Sequence, residues 1–313
     1  MSTESRTQGE KTVLLLGATG GLGSLIGRAL LAKPGVKLRC LVREGSREKV
    51  AELAAQGAEI VIGDVGAGSE AALEKACEGV YSVVSALQGM GDVLIEGQLR
   101  VLAAARKAGV RRMIPSDFSF DHFELEEGRN INSDVRRGFA KAAEAARGDV
   151  EVSHVLCGCF VDRRVLFGFL GAVDLAAGVV RIWGDGKAPI DFTTYQDTAL
   201  YTAEAAVDPE PLPRKFNIAG ETMDAHGLAK AVSEGVGREI KVERLGSMED
   251  LDAELARRLE TEPTNFFAWM PLMYWREMLR GKTKLGALVN GRYPHIRPQT
   301  IVEYLKATGG AAS

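Results

Sequence analysis

Three glycines mark the first place in this chain where chemistry can be read from residue type and spacing. Gly17, Gly20 and Gly23 stand at three-residue intervals in G-A-T-G-G-L-G, after an apolar run at 12–16 and before Leu25, Ile26, Ala29 and Leu30 at helical spacing. Gly17 lets the chain reverse, Gly20 lets a phosphate approach the backbone, and Gly23 lets the new helix pack closely on the strand. The free N–H groups and positive dipole end of that helix then hold a pyrophosphate, with Thr19, Gly21 and Leu22 completing the cradle. An ordinary flexible loop is the bland alternative; the strand before and the helix after argue for a dinucleotide site.

About twenty positions beyond the turn, the strand Val36–Val42 ends at Arg43. An acid at that place would accept hydrogen bonds from the ribose 2′-hydroxyl of NAD, whereas a guanidinium meets the 2′-phosphate of NADP. Arg47 and Lys49 lie close enough to help, and Glu44 opposes them. NADP(H) is therefore the expected cofactor, against the alternative of a surface cation at a strand end. The densest run of polar and aromatic groups follows at Pro115, Ser116, Asp117, Phe118, Ser119, Phe120, Asp121 and His122.

The elements that must position these residues alternate along the chain. Strands are expected at 12–16, 36–42, 58–63, 80–86, 110–115 and 151–157, with helices between them, including 93–108. That rhythm implies an α/β fold, a Rossmann-type doubly wound parallel sheet with helices on both faces. Ligands in such sheets bind beyond the carboxyl ends of the strands, so Asp64, Val65, Ala86, Leu87, Gln88, Pro115 and Ser116 fall on the cofactor side.

Composition narrows the function classes. The 313 residues are 46% hydrophobic and 26% charged with a net charge of −3, enough chain for a substantial core and no footprint for nucleic acid or a membrane surface. Residues 1–11 read as a loose polar tail, and the apolar stretch 165–180 is interrupted by Asp174 and glycines, too broken to span a bilayer. Cys40, Cys77, Cys157 and Cys159 fit reduced thiols and a cytoplasmic location. The C-x-C pair lacks the second pair or histidine cluster that a metal site needs, so no metal is expected and buried strand residues are the better reading.

Taken together, G-A-T-G-G-L-G, L-V-R, G-D-V, V-V-S-A and A-G-V-R-R-M-I-P-S-D-F resemble the atypical short-chain dehydrogenases of the isoflavone reductase and NmrA-like group. D-V-R-R-G-F, V-L-C-G-C-F and W-G-D-G-K-A-P-I-D-F-T-T-Y-Q-D-T-A are similar to later family segments, and the likeness covers most of 12–220. The resemblance implies an NADP-dependent reductase of small, often aromatic compounds, with substrate held between the sheet and a C-terminal lobe. It also implies a lysine where this chain has Asn132. No tyrosine has a lysine four positions on, so the pair used in the wider superfamily is absent. Lys141 points away from the expected helix stripe Val135, Phe139, Ala142 and Ala146 and reads as a surface charge.

His122 is the replacement proton donor this reading favours, since an imidazole titrates near neutral pH; a surface loop histidine is the alternative. Ser116, Asp117 and Asn132 would orient a carbonyl or a water, and Asn132 equally suits a helix cap. The resemblance places the nicotinamide near Cys159 and Phe160, where Phe160 walls the ring or simply joins the core.

A Rossmann domain at 12–157 and a smaller, mostly helical substrate lobe at 158–313 are expected, with 179–220 returning to the sheet. An apolar helix at 165–177, a last sheet strand at 216–219 and helices at 198–207, 224–235, 248–260 and 264–279 fill the remainder. The last helix is rich in aromatic residues. Trp269 and Met273, with Phe118, Phe120 and Phe160, are the candidate substrate contacts, a packed core being the alternative for such spacing. Arg276, Arg280, Lys282 and Lys284 read as a solvated face. Two classes of function remain: an NADPH-dependent reductase, monomeric or homodimeric, acting on a carbonyl, alkene or quinone-type substrate, and a non-catalytic NmrA-like NADP sensor. A redox-neutral isomerase or cyclase is a variant of the first.

Overall fold

A computed structural model of the protein describes residues 10–309. They form two units: 10–117, Gly138–His154 and Ala199–Lys215 in the first, Phe118–Arg137, Val155–Thr198 and 216–309 in the second. The sequence suggests one boundary near 157; the chain instead passes repeatedly from one unit to the other.

The first unit alternates strands and helices: β1 (Lys11–Leu16), α1 (Gly21–Leu31), β2 (Val36–Val42), α2 (Ala51–Ala55), β3 (Glu59–Ile62), α3 (Glu70–Cys77), β4 (Val80–Ser85), α4 (Gln98–Lys107), β5 (Arg112–Ile114), α5 (Ile131–Ala146) and β6 (Glu151–Val152). The expected tail lies outside the described residues up to residue 9, but Lys11 already pairs with Val36 as the first residue of β1. All strands run parallel in the order β3-β2-β1-β4-β5-β6, which reverses direction between β1 and β4. A reversal of this kind opens a crevice at the strand ends, because the loops leaving β1 and β4 turn to opposite faces.

Alternation along each strand explains the burial. Leu14, Leu16, Val83 and Met113 pack with Leu73 of α3, Val101, Leu102 and Ala105 of α4 and Phe139 of α5. Val13 and Leu15, facing the other way, are equally buried. On that side Gly27 of α1 sits so close that a Cβ would lie 2.9 Å from Leu53 and 3.3 Å from Leu38. Each such leucine or valine contributes about 1.5–3 kcal/mol, so a sheet covered on both faces is the stable outcome. The buried stripe of α5 is Phe139, Ala140 and Ala143 rather than Val135, Ala142 and Ala146, and Lys141 is exposed as expected.

The chain continues with smaller sheets: β7 (His154–Leu156), β8 (Cys159–Val161), β9 (Val173–Asp174), β10 (Val179–Trp183), β11 (Ile190–Thr194), then α6 (Tyr195–Val207), which from Ala199 onward belongs to the first unit, β12 (Lys215–Asn217), β13 (Glu221–Met223), α7 (Ala225–Val236), β14 (Lys241–Gly246), α8 (Met248–Thr261), α9 (Phe266–Leu279) and α10 (Ile301–Ala307). Sheet orders are β14-β10-β9 and β13-β11-β8, with β12 paired to β7.

Four expectations are corrected here. The run 151–157 divides at Ser153, whose hydroxyl donates to Pro213 O at 2.8 Å while His154 N turns to Arg214 O, also at 2.8 Å. In place of a helix over 165–177 there is a π-helical turn, Arg163–Phe169, and then β9, because Gly171 takes a left-handed φ of +59° and ends the coil. Residues 216–219 do not join the six-stranded sheet but pair through β12 with β7. Of the segment 179–220, β10 and β11 lie in the small sheets of the second unit. Among the described residues no helix is long and apolar enough to cross a membrane.

Candidate functional site

The carboxyl ends of the strands in the first unit form one edge, set by register. Leu16 lies beside Leu41 and Ser85, Val42 beside Ile62, and Val84 beside Ile114. Gly17, Arg43, Asp64, Ala86 and Pro115, each one or two residues beyond a strand end, therefore occupy the same edge of the sheet.

The three glycines of the turn divide its labour. Gly17 has φ +81°, and a Cβ there would lie 2.4 Å from Ala86 O. A Cβ on Gly23 would lie 2.1 Å from Gly17 O. Both positions are glycine because the protein's own backbone fills the space. Gly20 differs: its φ is −85°, open to any residue, and a Cβ there would meet only Gly17 O at 3.4 Å. Among the described residues nothing nearer than 3.4 Å opposes a Cβ at 20, so the space beside it is open to an incoming group. Gly20 also starts α1, whose first turn carries no acid and no side-chain cap. Its N-terminal N–H groups and dipole present a ready site for an anion, and the donor set suits a diphosphate.

The neighbouring residues complete the edge. Thr19 and Gly20 are exposed, Gly21 and Leu22 half-buried. Arg43 is exposed at the end of β2 and carries no ion pair among the described residues. Arg47 and Lys49 are exposed on the 3-10 turn that follows. Asp64 is exposed and its carboxylate accepts from Gly66 N at 2.8 Å, while Val65 is buried. Ala86 and Leu87 are half-buried and Gln88 exposed. Ser116, beside buried Pro115, is itself buried. Its hydroxyl donates to Leu87 O at 2.6 Å and its N–H to Gln98 Oε1 at 2.9 Å, tying the exits of β4 and β5 together.

Beneath that edge lies a pair that the sequence does not announce. Asp117 and His154 are both buried, with Oδ2 and Nδ1 2.5 Å apart. The contact joins the end of β5 to the start of β7 and satisfies two polar groups that burial would otherwise penalise.

In the second unit, the loop following Asp117 is pinned. Arg137 donates to Leu125 O and to His122 O and pairs with Asp134. His122 is fully buried and stacked on Phe123 at 4.5 Å, which removes the surface-loop reading of this histidine. Phe118 and Phe120 are buried, and Phe160 is half-buried against Tyr195 at 4.4 Å, ring edge to ring face. Burial pushes the Cys159 thiol up to about 12 and the Cys157 thiol higher still, so both are inert. Trp269 and Met273 join Leu255 and Met270 in a packed cluster, with Phe169 and Tyr274 lying against it.

The helix cap at the start of α5 is Asn130, not Asn132: Asn130 Oδ1 accepts from Ser133 N at 3.0 Å. That frees Asn132, which is half-buried and donates through Nδ2 to the Tyr274 hydroxyl at 3.2 Å. Asp117 with His154, and Asn132 with Tyr274, are separated by 37 and 142 residues. No local pattern could have paired them.

Residues 9–132 match the NmrA-like family. The chain is 31% identical over 236 residues to pinoresinol reductase 1 of Arabidopsis thaliana, covering 69% of this chain and 70% of that protein. It is 30% identical over 233 residues to an isoflavone reductase of Pisum sativum, covering 67% and 70%. Phenylcoumaran benzylic ether reductase PT1 of Pinus taeda is 30% identical over 213 residues, covering 64% of this chain and 66% of that protein, just under two thirds of its length. Among solved structures, AtPrR2 with NADP+ and (+)pinoresinol superposes with a TM-score of 0.78 at 23% identity, over 95% of this chain and 98% of that one. With the family model on the first strands and relatives of this identity across two thirds of the length, the chain belongs to the NmrA-like, isoflavone reductase-like family of α/β Rossmann proteins.

Proposed function

We propose that the chain binds NADPH at the strand edge of its first unit and reduces a small aromatic or conjugated substrate of carbonyl, alkene or quinone type. The observation that carries this reading is Gly20, with open space beside it, at the uncapped start of α1. The names of the relatives, a phenylcoumaran benzylic ether reductase, an isoflavone reductase and a pinoresinol reductase, and the NADP+ bound to the solved relative support it.

NADPH, when bound, supplies a hydride. The residues do the rest. Backbone N–H groups from Thr19 to Gly23 hold the diphosphate, and Gly17 shapes the turn that presents them. Arg43 meets the 2′-phosphate with a charge-assisted bond that no carboxylate could make. Asp64, Val65, Ala86, Leu87 and Gln88 line the adenosine side, and Pro115 and Ser116 fix the edge along which the ligand lies. Within the second unit, Cys159 and Phe160, with Phe118, Phe120, Trp269 and Met273, supply the apolar side chains that suit an aromatic ring. Fixed positioning and exclusion of water supply most of the acceleration in such a site.

Asn132 favours a second reading, a sensor that binds NADP without turnover, because it stands where the resemblance implies a lysine. One experiment separates the two. NADPH oxidation is followed by absorbance with pinoresinol, an isoflavone and a quinone, alongside NADPH affinity by calorimetry. Turnover with any of them supports the reductase; tight NADPH binding without turnover favours the sensor.

A further inference from the structure

A buried amide stands behind the strand edge of the first unit. Gln98 opens α4 and is 2% exposed, on the helix face that carries Val101, Leu102 and Ala105 into the core. Its Oε1 accepts from Ser116 N at 2.9 Å and its Nε2 donates to Leu94 O at 2.7 Å. A backbone N–H only donates and a carbonyl only accepts, so these two partners fix which way round the amide lies. Ser116 in turn donates its hydroxyl to Leu87 O at 2.6 Å. Through Gln98 and Ser116, the start of α4 and the exits of β4 and β5 are bonded to one another.

The amide itself is held from two sides. Before α4 comes a π-helical turn, Asp92–Gly97, at whose end Gln98 N donates to Val93 O and Ile95 O and passes over Leu94 O. The side-chain amide then takes the Leu94 carbonyl. Such turns are frequent at functional sites. Gly97 presses so closely on Val65 that a Cβ would lie 2.7 Å from its side chain, which sets the start of α4 against the exit of β3.

In the order β3-β2-β1-β4-β5-β6, Arg43 follows β2, the glycine turn follows β1 and Ser116 follows β5, so Ser116 lies on the far side of the glycine turn from Arg43. A dinucleotide lying across the strand ends, with its 2′-phosphate at Arg43 and its diphosphate at α1, brings its nicotinamide riboside to the β5 exit. Resting on the NADPH-binding reading, we propose that Gln98 is a positioning residue for that half of the coenzyme. It touches no ligand; it fixes the backbone of Ser116, and so the β5 exit, against β4. A glutamine amide accepts at one end and donates at the other, and Ser116 N and Leu94 O present the matching pair. The glycine turn and Arg43 hold the adenosine half without it.

The test is calorimetric titration of the full chain with two probes, NADPH and 2′-phosphoadenosine 5′-diphosphate, which is the same molecule without its nicotinamide riboside. Gln98→Met drops both bonds of the amide; it should weaken NADPH roughly tenfold and leave the adenosine probe within about twofold of the wild type. Gln98→Glu keeps an oxygen for Ser116 N and gives up the amide donor to Leu94 O. It should lower the melting temperature and yet hold NADPH affinity within about threefold of the wild type. Arg43→Ala should weaken both probes by the same factor, since both carry the 2′-phosphate. An amide with a merely structural role gives another pattern, in which affinity for both probes falls in step with melting temperature in both Gln98 variants. That pattern, or wild-type NADPH affinity in Gln98→Met, overturns the assignment and leaves the coenzyme reading standing. A wild type that binds neither probe overturns both. If Gln98→Met does not fold, Ser116→Ala takes its place: it removes the bond to Leu87 O alone and should show the same split between the two probes.

Discussion

At the scale of single residues, the three glycines of the opening turn are not equivalent, and that inequality can be measured. Gly17→Ala places a Cβ 2.4 Å from Ala86 O at a φ of +81°. It should destabilise the fold by about 2 kcal/mol or more in a denaturant titration. Gly20→Ala meets only a 3.4 Å contact, so stability should stay within about 0.5 kcal/mol while NADPH affinity drops roughly tenfold or more. If Gly20→Ala binds NADPH like the wild type, the open space at that residue is not a phosphate site. Both glycines are plain in the sequence, because a turn writes its conformational demands into consecutive residues. Asp117 with His154, and Asn132 with Tyr274, are not, since each pair is made by packing between segments distant in sequence. The burial of His122 is hidden for the same reason: the carbonyls that Arg137 holds lie 15 and 12 residues before it.

At the scale of elements, one buried arginine governs how β5 and α6 meet within the first unit. Arg112 is fully buried in β5, ion-paired with Glu151 of β6. It donates to Ala205 O at 2.6 Å, Asp208 O at 2.9 Å and Glu210 O at 2.7 Å, around the end of α6. Arg112→Met keeps the bulk and strips those donors from three carbonyls, of which those of Ala205 and Asp208 are buried. It should cost about 3 kcal/mol or more by denaturant unfolding, and a cost under about 1 kcal/mol would show that the carbonyls find other partners. A second element test uses pH. Arg257 and Arg258 hold Glu254 of α8 down from 4.5 to about 2. A depressed carboxylate stabilises fully above its unfolded value and loses that contribution as pH falls through its folded one. The stability gap between wild type and Glu254→Gln should therefore narrow between pH 4.5 and about 2; a gap that stays constant over that window contradicts the pairing. The first four strands of the six-stranded sheet are legible because β-branched and other apolar residues cluster in each between turn residues. The stretch 165–177 misleads, since its apolar residues carry no period and Gly171 decides the outcome.

At the scale of the whole molecule, the first unit gathers Gly17, Arg43, Asp64, Ala86 and Pro115 where its parallel strands end, and the second unit is built of small sheets and helices. A ligand that binds only the folded chain stabilises it, by about 2.7 kcal/mol at a hundred times its Kd. NADPH should raise the melting temperature more than NADH at equal concentration, and Arg43→Ala should erase most of that difference. The most direct test of the central claim is a calorimetric titration of the full chain with each coenzyme in turn. The account predicts one NADPH site per chain, with affinity roughly ten- to a hundredfold above that for NADH, as one charge-assisted contact to the 2′-phosphate implies. No binding of either coenzyme, or tighter binding of NADH, would contradict it.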